Sequence, residues 1–150
     1  MYAPSLILLG LGQGFYDIKS FTEQQYFKYN ERGNRTEWAF FDTGNRPCLD
    51  ENGIHKEKNI YDFIGNRIEY TYYGIDNKSC ISNQYFHKRI NKYDEKRNVI
   101  ELTCYDIIGK PCNNIYGYTK CTKKYDSRGN LIRMRFYDVD GKQVEPNYTF

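Results

Sequence analysis

Apolar and polar residues alternate with a period of two in short runs along the chain. The clearest is Ile100-Glu101-Leu102-Thr103-Cys104-Tyr105, which sets Ile, Leu and Cys on one side. The matching positions are Ile68, Tyr70 and Tyr72 in an earlier run and Ile132, Met134 and Phe136 in a later one. The opposite sides carry Glu37, Glu69, Glu101 and Arg133, then Ala39, Thr71, Thr103 and Arg135. Such alternation predicts half-buried β-strands with one dry and one wet side. A turn signal of the form Tyr-Asp-x-x-Gly-Asn precedes the runs, as in Tyr61–Asn66 and Tyr125–Asn130. Asp and Asn side chains hold such a bend, and Gly supplies its left-handed residue. A second turn follows each run, as in Tyr105-Asp-Ile-Ile-Gly-Lys. Beyond it a looser stretch rich in Tyr, Thr, Ile and Lys, such as Tyr118–Tyr125, reads as the paired strand. No window sustains a helical period; the nearest, residues 17–29, is short and contains Phe, Thr and Tyr.

The pattern recurs at a fixed interval. Tyr29-Asn30, Tyr61-Asp62, Tyr93-Asp94 and Tyr125-Asp126 are 32 residues apart, and no insertion is needed to align Tyr29 through Lys142. Asn34, Asn66, Asn98 and Asn130 form one column, and Cys48, Cys80 and Cys112 another. A tandem array follows. Its units are 29–60, 61–92, 93–124 and a partial 125–142, with an N-terminal cap or degenerate repeat at 1–28 and a tail at 143–150. Two strands per unit give an all-β fold: antiparallel β-hairpins in tandem, forming an elongated sheet or an open β-solenoid. Each unit advances about 9–10 Å at ordinary strand spacing.

Composition narrows the field. A length of 150 residues suits one domain, and 16 Tyr and 9 Phe argue against disorder. The mean hydropathy of −0.84 speaks against a membrane span. The apolar run Leu6–Leu11 is too short to be one and reads as a cap strand. A net charge of +3 is too small to imply nucleic acid, although Lys120, Lys123, Lys124, Arg128, Arg133 and Arg135 make the C-terminal half more basic. Five cysteines, an odd number without CxxC spacing, favour reduced thiols and hence the cytosol, with a surface or secreted setting as the alternative.

Candidate chemistry is sparse. His55 and His87 lie a full unit apart, so they cannot share a metal, and neither metal nor cofactor is expected. The cysteine column reads as small buried side chains spaced too widely for disulfides. Glu37, Glu69 and Glu101 recur with the period, unlike a catalytic constellation, so they read as surface charge. Asn34, Asn77 and Asn147 begin N-glycosylation sequons, two of them in turns that want Asn anyway. The remaining candidates are the aromatic columns Tyr29, Tyr61, Tyr93, Tyr125 and Phe41, Tyr73, Tyr105, Tyr137. Packing on neighbouring units is their first expected role, and an exposed stripe of rings for a partner their second.

The units Tyr61-Asp-Phe-Ile-Gly-Asn, Tyr93-Asp-Glu-Lys-Arg-Asn and Tyr125-Asp-Ser-Arg-Gly-Asn resemble the bacterial YD repeats of RHS-type proteins. They look closer still to a 32-residue variant with the unit YD-x-x-GN-x-I-E-x-x-YYD-x-x-GKPC, over residues 29–142. The choline-binding and toxin cell-wall repeats are a more distant likeness. The resemblance implies a β-strand shell or surface array without catalysis of its own. The expected role is therefore a non-enzymatic scaffold for protein–protein interaction, on its own or as a fragment of a longer surface or secreted array, binding through Tyr29, Tyr61, Tyr73, Tyr93, Tyr105, Tyr125 and Tyr137. A carbohydrate or cell-wall binding module using the same tyrosines is the alternative.

Overall fold

The structure is a computed structural model and describes residues 14–20 and 23–148. The strands are β1 (Gly14–Ser20), β2 (Glu23–Tyr29), β3 (Arg35–Asp42), β4 (Lys56–Tyr61), β5 (Arg67–Tyr73), β6 (Lys88–Tyr93), β7 (Val99–Tyr105), β8 (Lys120–Tyr125), β9 (Leu131–Tyr137) and β10 (Gln143–Val144). They form one sheet in sequence order, each antiparallel to its neighbour. The expected tandem hairpins are present as β2–β3, β4–β5, β6–β7 and β8–β9. The sheet also runs on through β1 and β2, so the described residues of the window 17–29 are strand, and β2–β3 closes on Asn30–Asn34 like its successors. The run Leu6–Leu11 lies outside the described residues. Among those residues no helix is long and apolar enough to cross a membrane.

One turn design is used throughout. In Asp62–Asn66 the Asp62 amide donates to the Asn66 carbonyl and the Gly65 amide to the Asp62 carbonyl, while Asp62 Oδ1 accepts from the amides of Ile64 and Asn66. This is a three-residue hairpin loop with its left-handed residue fourth. It recurs at the second turn, for example Asp106–Lys110. It recurs again at a third that the sequence pattern had not marked: Asp50–Ile54, Ser82–Phe86 and Asn114–Tyr118. A unit therefore has three turns, not two. All positive-φ residues described, four non-glycines and seven glycines, occupy the fourth position of one of them.

The third turn lets the chain fold back over the sheet. Phe86 and Cys112, from the returns after β5 and β7, pack with Tyr70, Tyr72 and Cys104, the Phe86 ring lying 6.1 Å from that of Tyr70 and 5.5 Å from that of Tyr72. Successive returns are tied by backbone bonds from Asn83 to Asn52, Ile115 to Gln84 and Asn147 to Tyr116, at 2.9, 2.9 and 3.0 Å. The side expected to be dry is thus covered in the middle of the array. In the last unit it is not: Ile132 and Met134 are exposed, because no described unit follows to cover them.

Strand register also shears the array. Lys56 faces Tyr73, whereas Lys88 faces Thr71 on one side and Tyr105 on the other. Each repeat therefore steps two residues along the strands, about 7 Å, as well as two strands across.

Candidate partner-binding face

The two aromatic columns sit at opposite ends of the strands and behave differently. Tyr61, Tyr93 and Tyr125 end β4, β6 and β8, just before the first turn. Their hydroxyls donate to the carbonyls of Arg35, Arg67 and Val99, one repeat back, at 2.9, 2.8 and 3.0 Å. Desolvation raises the phenol pKa of Tyr61 and Tyr125. These rings are staples between repeats, and Tyr29 holds the equivalent half-buried place at the end of β2.

Tyr73, Tyr105 and Tyr137 end β5, β7 and β9 on the side of the sheet away from the returns. Each faces a lysine directly across the ladder: Lys56, Lys88 and Lys120. The ammonium groups of Lys58, Lys88 and Lys120 lie over the rings of Tyr73, Tyr105 and Tyr137, at 5.0, 5.5 and 4.9 Å from their centroids. Such cation–π contacts hold the ammonium over the negative face of the ring. The seven tyrosines therefore make two rows rather than one stripe, and in the second row a lysine ammonium lies over each ring.

On this uncovered face Glu37 and Glu101 pair with lysines across the strands, while Glu69 stands between Ile60 and Ile90. Lys28 meets Glu37 at 3.3 Å and Lys92 meets Glu101 at 2.7 Å, and the bond to Glu101 raises the Lys92 pKa. The fourth unit departs from this arrangement, since Lys124 there stands opposite Arg133.

The covered face holds a polar cluster that strand alternation did not reveal. Arg67 bonds Glu57 at 3.0 Å and Asn59 at 3.2 Å, and its guanidinium stacks on Tyr70 at 4.4 Å. Arg89 approaches the same ring at 5.7 Å, and Asn91 donates to the Arg67 carbonyl. Glu57, Asn59 and Asn91 are buried, so the ion pair and amides satisfy one another out of water. The signal available in sequence was the poor alternation of the looser strands, where charged residues take core positions.

His55 and His87 are buried, each with Nδ1 donating to a carbonyl, Cys48 at 3.2 Å and Cys80 at 3.1 Å, and each edge-on to an aromatic ring, Phe41 or Tyr73. They lock the returns to the sheet. The column Cys48, Cys80, Cys112 is half-buried rather than buried; the buried thiols are Cys104 and Cys121. Desolvation pushes Cys104 up to about 11, so it stays protonated.

No family model and no curated protein matches the chain. Among solved structures it is similar to a crystal structure of an S. aureus TarM mutant in complex with Fondaparinux, alpha-GlcNAc-glycerol and UDP. The TM-score is 0.31 with 15% identity over 90% of this chain, which spans 22% of the TarM chain. A superposition that loose transfers no residue and no activity.

Proposed function

We propose that the protein is a non-enzymatic scaffold whose uncovered sheet face holds an extended protein partner. The observation that carries this reading is the row of lysines over Tyr73, Tyr105 and Tyr137, one cation and one ring per repeat. From strand spacing and shear, the row repeats about every 12 Å. One such contact is weak, and several in register sum to useful affinity only for a partner that is itself extended. Carboxylates and imidazoles recur with the period instead of converging, and the imidazoles are occupied by carbonyls, which supports a role without catalysis. A carbohydrate module is the alternative reading. A sugar stacking on these tyrosines would first have to displace the lysine from the ring, which favours a protein carrying acidic groups.

The test combines selection of random peptides displayed against the immobilised protein with titration of mono- and oligosaccharides, choline included, into its amide NMR spectrum. Selected peptides are expected to lose binding to a Lys88→Ala, Lys120→Ala variant, and the sugars to leave the spectrum unchanged. Saturable shifts around Tyr73 and Tyr105 with a sugar would move the assignment to carbohydrate binding.

A further inference from the structure

Successive repeats join in one way, and among the described residues the last such joint has no incoming strand. The outer edge of β5 receives β6 through Glu69 with Ile90, Tyr70 with Arg89 and Thr71 with Lys88. The outer edge of β7 receives β8 through Glu101 with Thr122, Leu102 with Cys121 and Thr103 with Lys120. Tyr93 or Tyr125, farther along the incoming strand, then bonds the carbonyl of Arg67 or Val99.

On β9 the corresponding residues are Arg133, Met134 and Arg135, and among the described residues no strand lies beyond them. β10 meets only Tyr137 and Phe136. The equivalent bridges of Tyr73 with Ser79 and Tyr105 with Pro111 coexist with a following strand, so β10 leaves the edge accessible. Met134 is 40% exposed where its counterparts Tyr70 and Leu102 are 6% and 4% exposed, and Leu131 and Ile132 are exposed beside it.

Charge selects the occupant. Arg133 and Arg135 replace the Glu and Thr of the two preceding units, no carboxylate pairs with either among the described residues, and Lys124 and Thr122 stand opposite them on the inner side. A further strand of the array's own type, with lysine at the column of Lys56, Lys88 and Lys120, would set that lysine against Arg135. A second copy pairing β9 antiparallel with β9 would set arginine against arginine. Both arrangements add positive charge to an edge where Lys124 already stands opposite Arg133, whereas carboxylates would offset it.

We infer that the β9 edge docks an extended strand of a partner protein in which acidic, apolar and acidic residues alternate. Resting on the scaffold reading, this names the site and the chemistry of its partner. The strand adds antiparallel, its two carboxylates meeting Arg135 and Arg133 and its apolar side chain covering Met134. A tyrosine three residues after the second acid reaches the Leu131 carbonyl, as Tyr93 reaches that of Arg67.

The experiment titrates the whole chain with two labelled peptides of identical flanks, one containing Glu-Val-Glu-Thr-Thr-Tyr and the other Lys-Val-Lys-Thr-Thr-Tyr. Fluorescence anisotropy gives affinity and amide shifts give location. The acidic peptide is expected to bind with shifts at residues 131–136, roughly tenfold or more tighter than the basic one. A variant with Arg133→Glu and Arg135→Glu should reverse the order. It should keep its fold, since Lys124 then faces a glutamate as Lys92 faces Glu101. Equal binding of the two peptides, or shifts elsewhere, would overturn the inference. So would self-association of the chain that disappears in the double variant, because a second copy would then own the edge. If peptides selected on the lysine–tyrosine row bind while neither strand peptide does, the edge assignment falls and the scaffold reading stands. If no peptide of either kind binds, both fall.

Discussion

Arg97 holds a backbone conformation that the other three units give to glycine, with φ of 68° against 80°, 91° and 88° at Gly33, Gly65 and Gly129. An L-residue there costs about 1 kcal/mol. Arg97 offsets part of this by reaching back to Asn66, its Nε 2.9 Å from Oδ1. Arg97→Ala keeps the strain and loses the bond, whereas Arg97→Gly loses both. The glycine variant should therefore be the more stable of the two by about 1 kcal/mol in urea denaturation, and equal midpoints would mean that the turn relaxes in solution. The turn carboxylates offer a second test at this scale. Side-chain bonds from Asn98 and Asn130 hold Asp94 and Asp126 below the usual carboxylate range, and backbone amides add to the effect. A carboxyl whose pKa is lower folded than unfolded stabilises the fold above its unfolded value of 3.8. That contribution is lost as pH falls through the folded value. Stability should thus be flat at neutral pH and decline below about pH 4. Asp94→Asn with Asp126→Asn should soften the decline, because Asn30 already builds the first turn through an amide oxygen. A decline of unchanged steepness in that variant would exclude these turns as its source.

The hairpins and the joints between them are unequal elements. The β4–β5 and β6–β7 hairpins each pair six positions, whereas the β5–β6 joint pairs three. Joints gain support from the tyrosine hydroxyls and the stacked returns. Tyr93→Phe removes the 2.8 Å bond to the Arg67 carbonyl without altering the ring. It should cost about 1 kcal/mol. Tyr73→Phe, whose hydroxyl has only a 3.5 Å contact with Thr71, should cost less. Equal losses measured by chemical denaturation would contradict the division of the tyrosines into staples and a lysine-bearing row.

At the scale of the whole molecule the sheet is a one-dimensional array in which each unit is covered by its neighbour. Protection against hydrogen exchange should follow that cover. The amides of Tyr70 and Leu102 point into joints, by alternation from those of Tyr72 and Cys104, whereas that of Met134 points to the outer edge of β9, where no strand pairs with it among the described residues. The Met134 amide should therefore exchange faster than its counterparts, and the acidic strand peptide should slow it selectively. Uniform protection across the three amides would mean that the β9 edge is already paired in solution.

Local chemistry made much of this legible in the amino-acid sequence alone. The 32-residue period, two of the three turns and the two faces of β5 and β7 follow from alternation and from Asp, Asn and Gly at fixed spacing. These features depend on neighbours a few residues apart. The third turn escaped because Asp50, Ser82 and Asn114 differ in type while each supplies the same accepting oxygen. Only the tertiary structure separated staple tyrosines from those bearing lysines, since both kinds flank turns and differ only in what the next repeat brings against them. It likewise buried Glu57 against Arg67 and left Met134 bare. Whether a position of the same pattern becomes core, staple or open edge is decided by register and shear between segments about one repeat apart, and by whether another unit arrives to remove its surface from water.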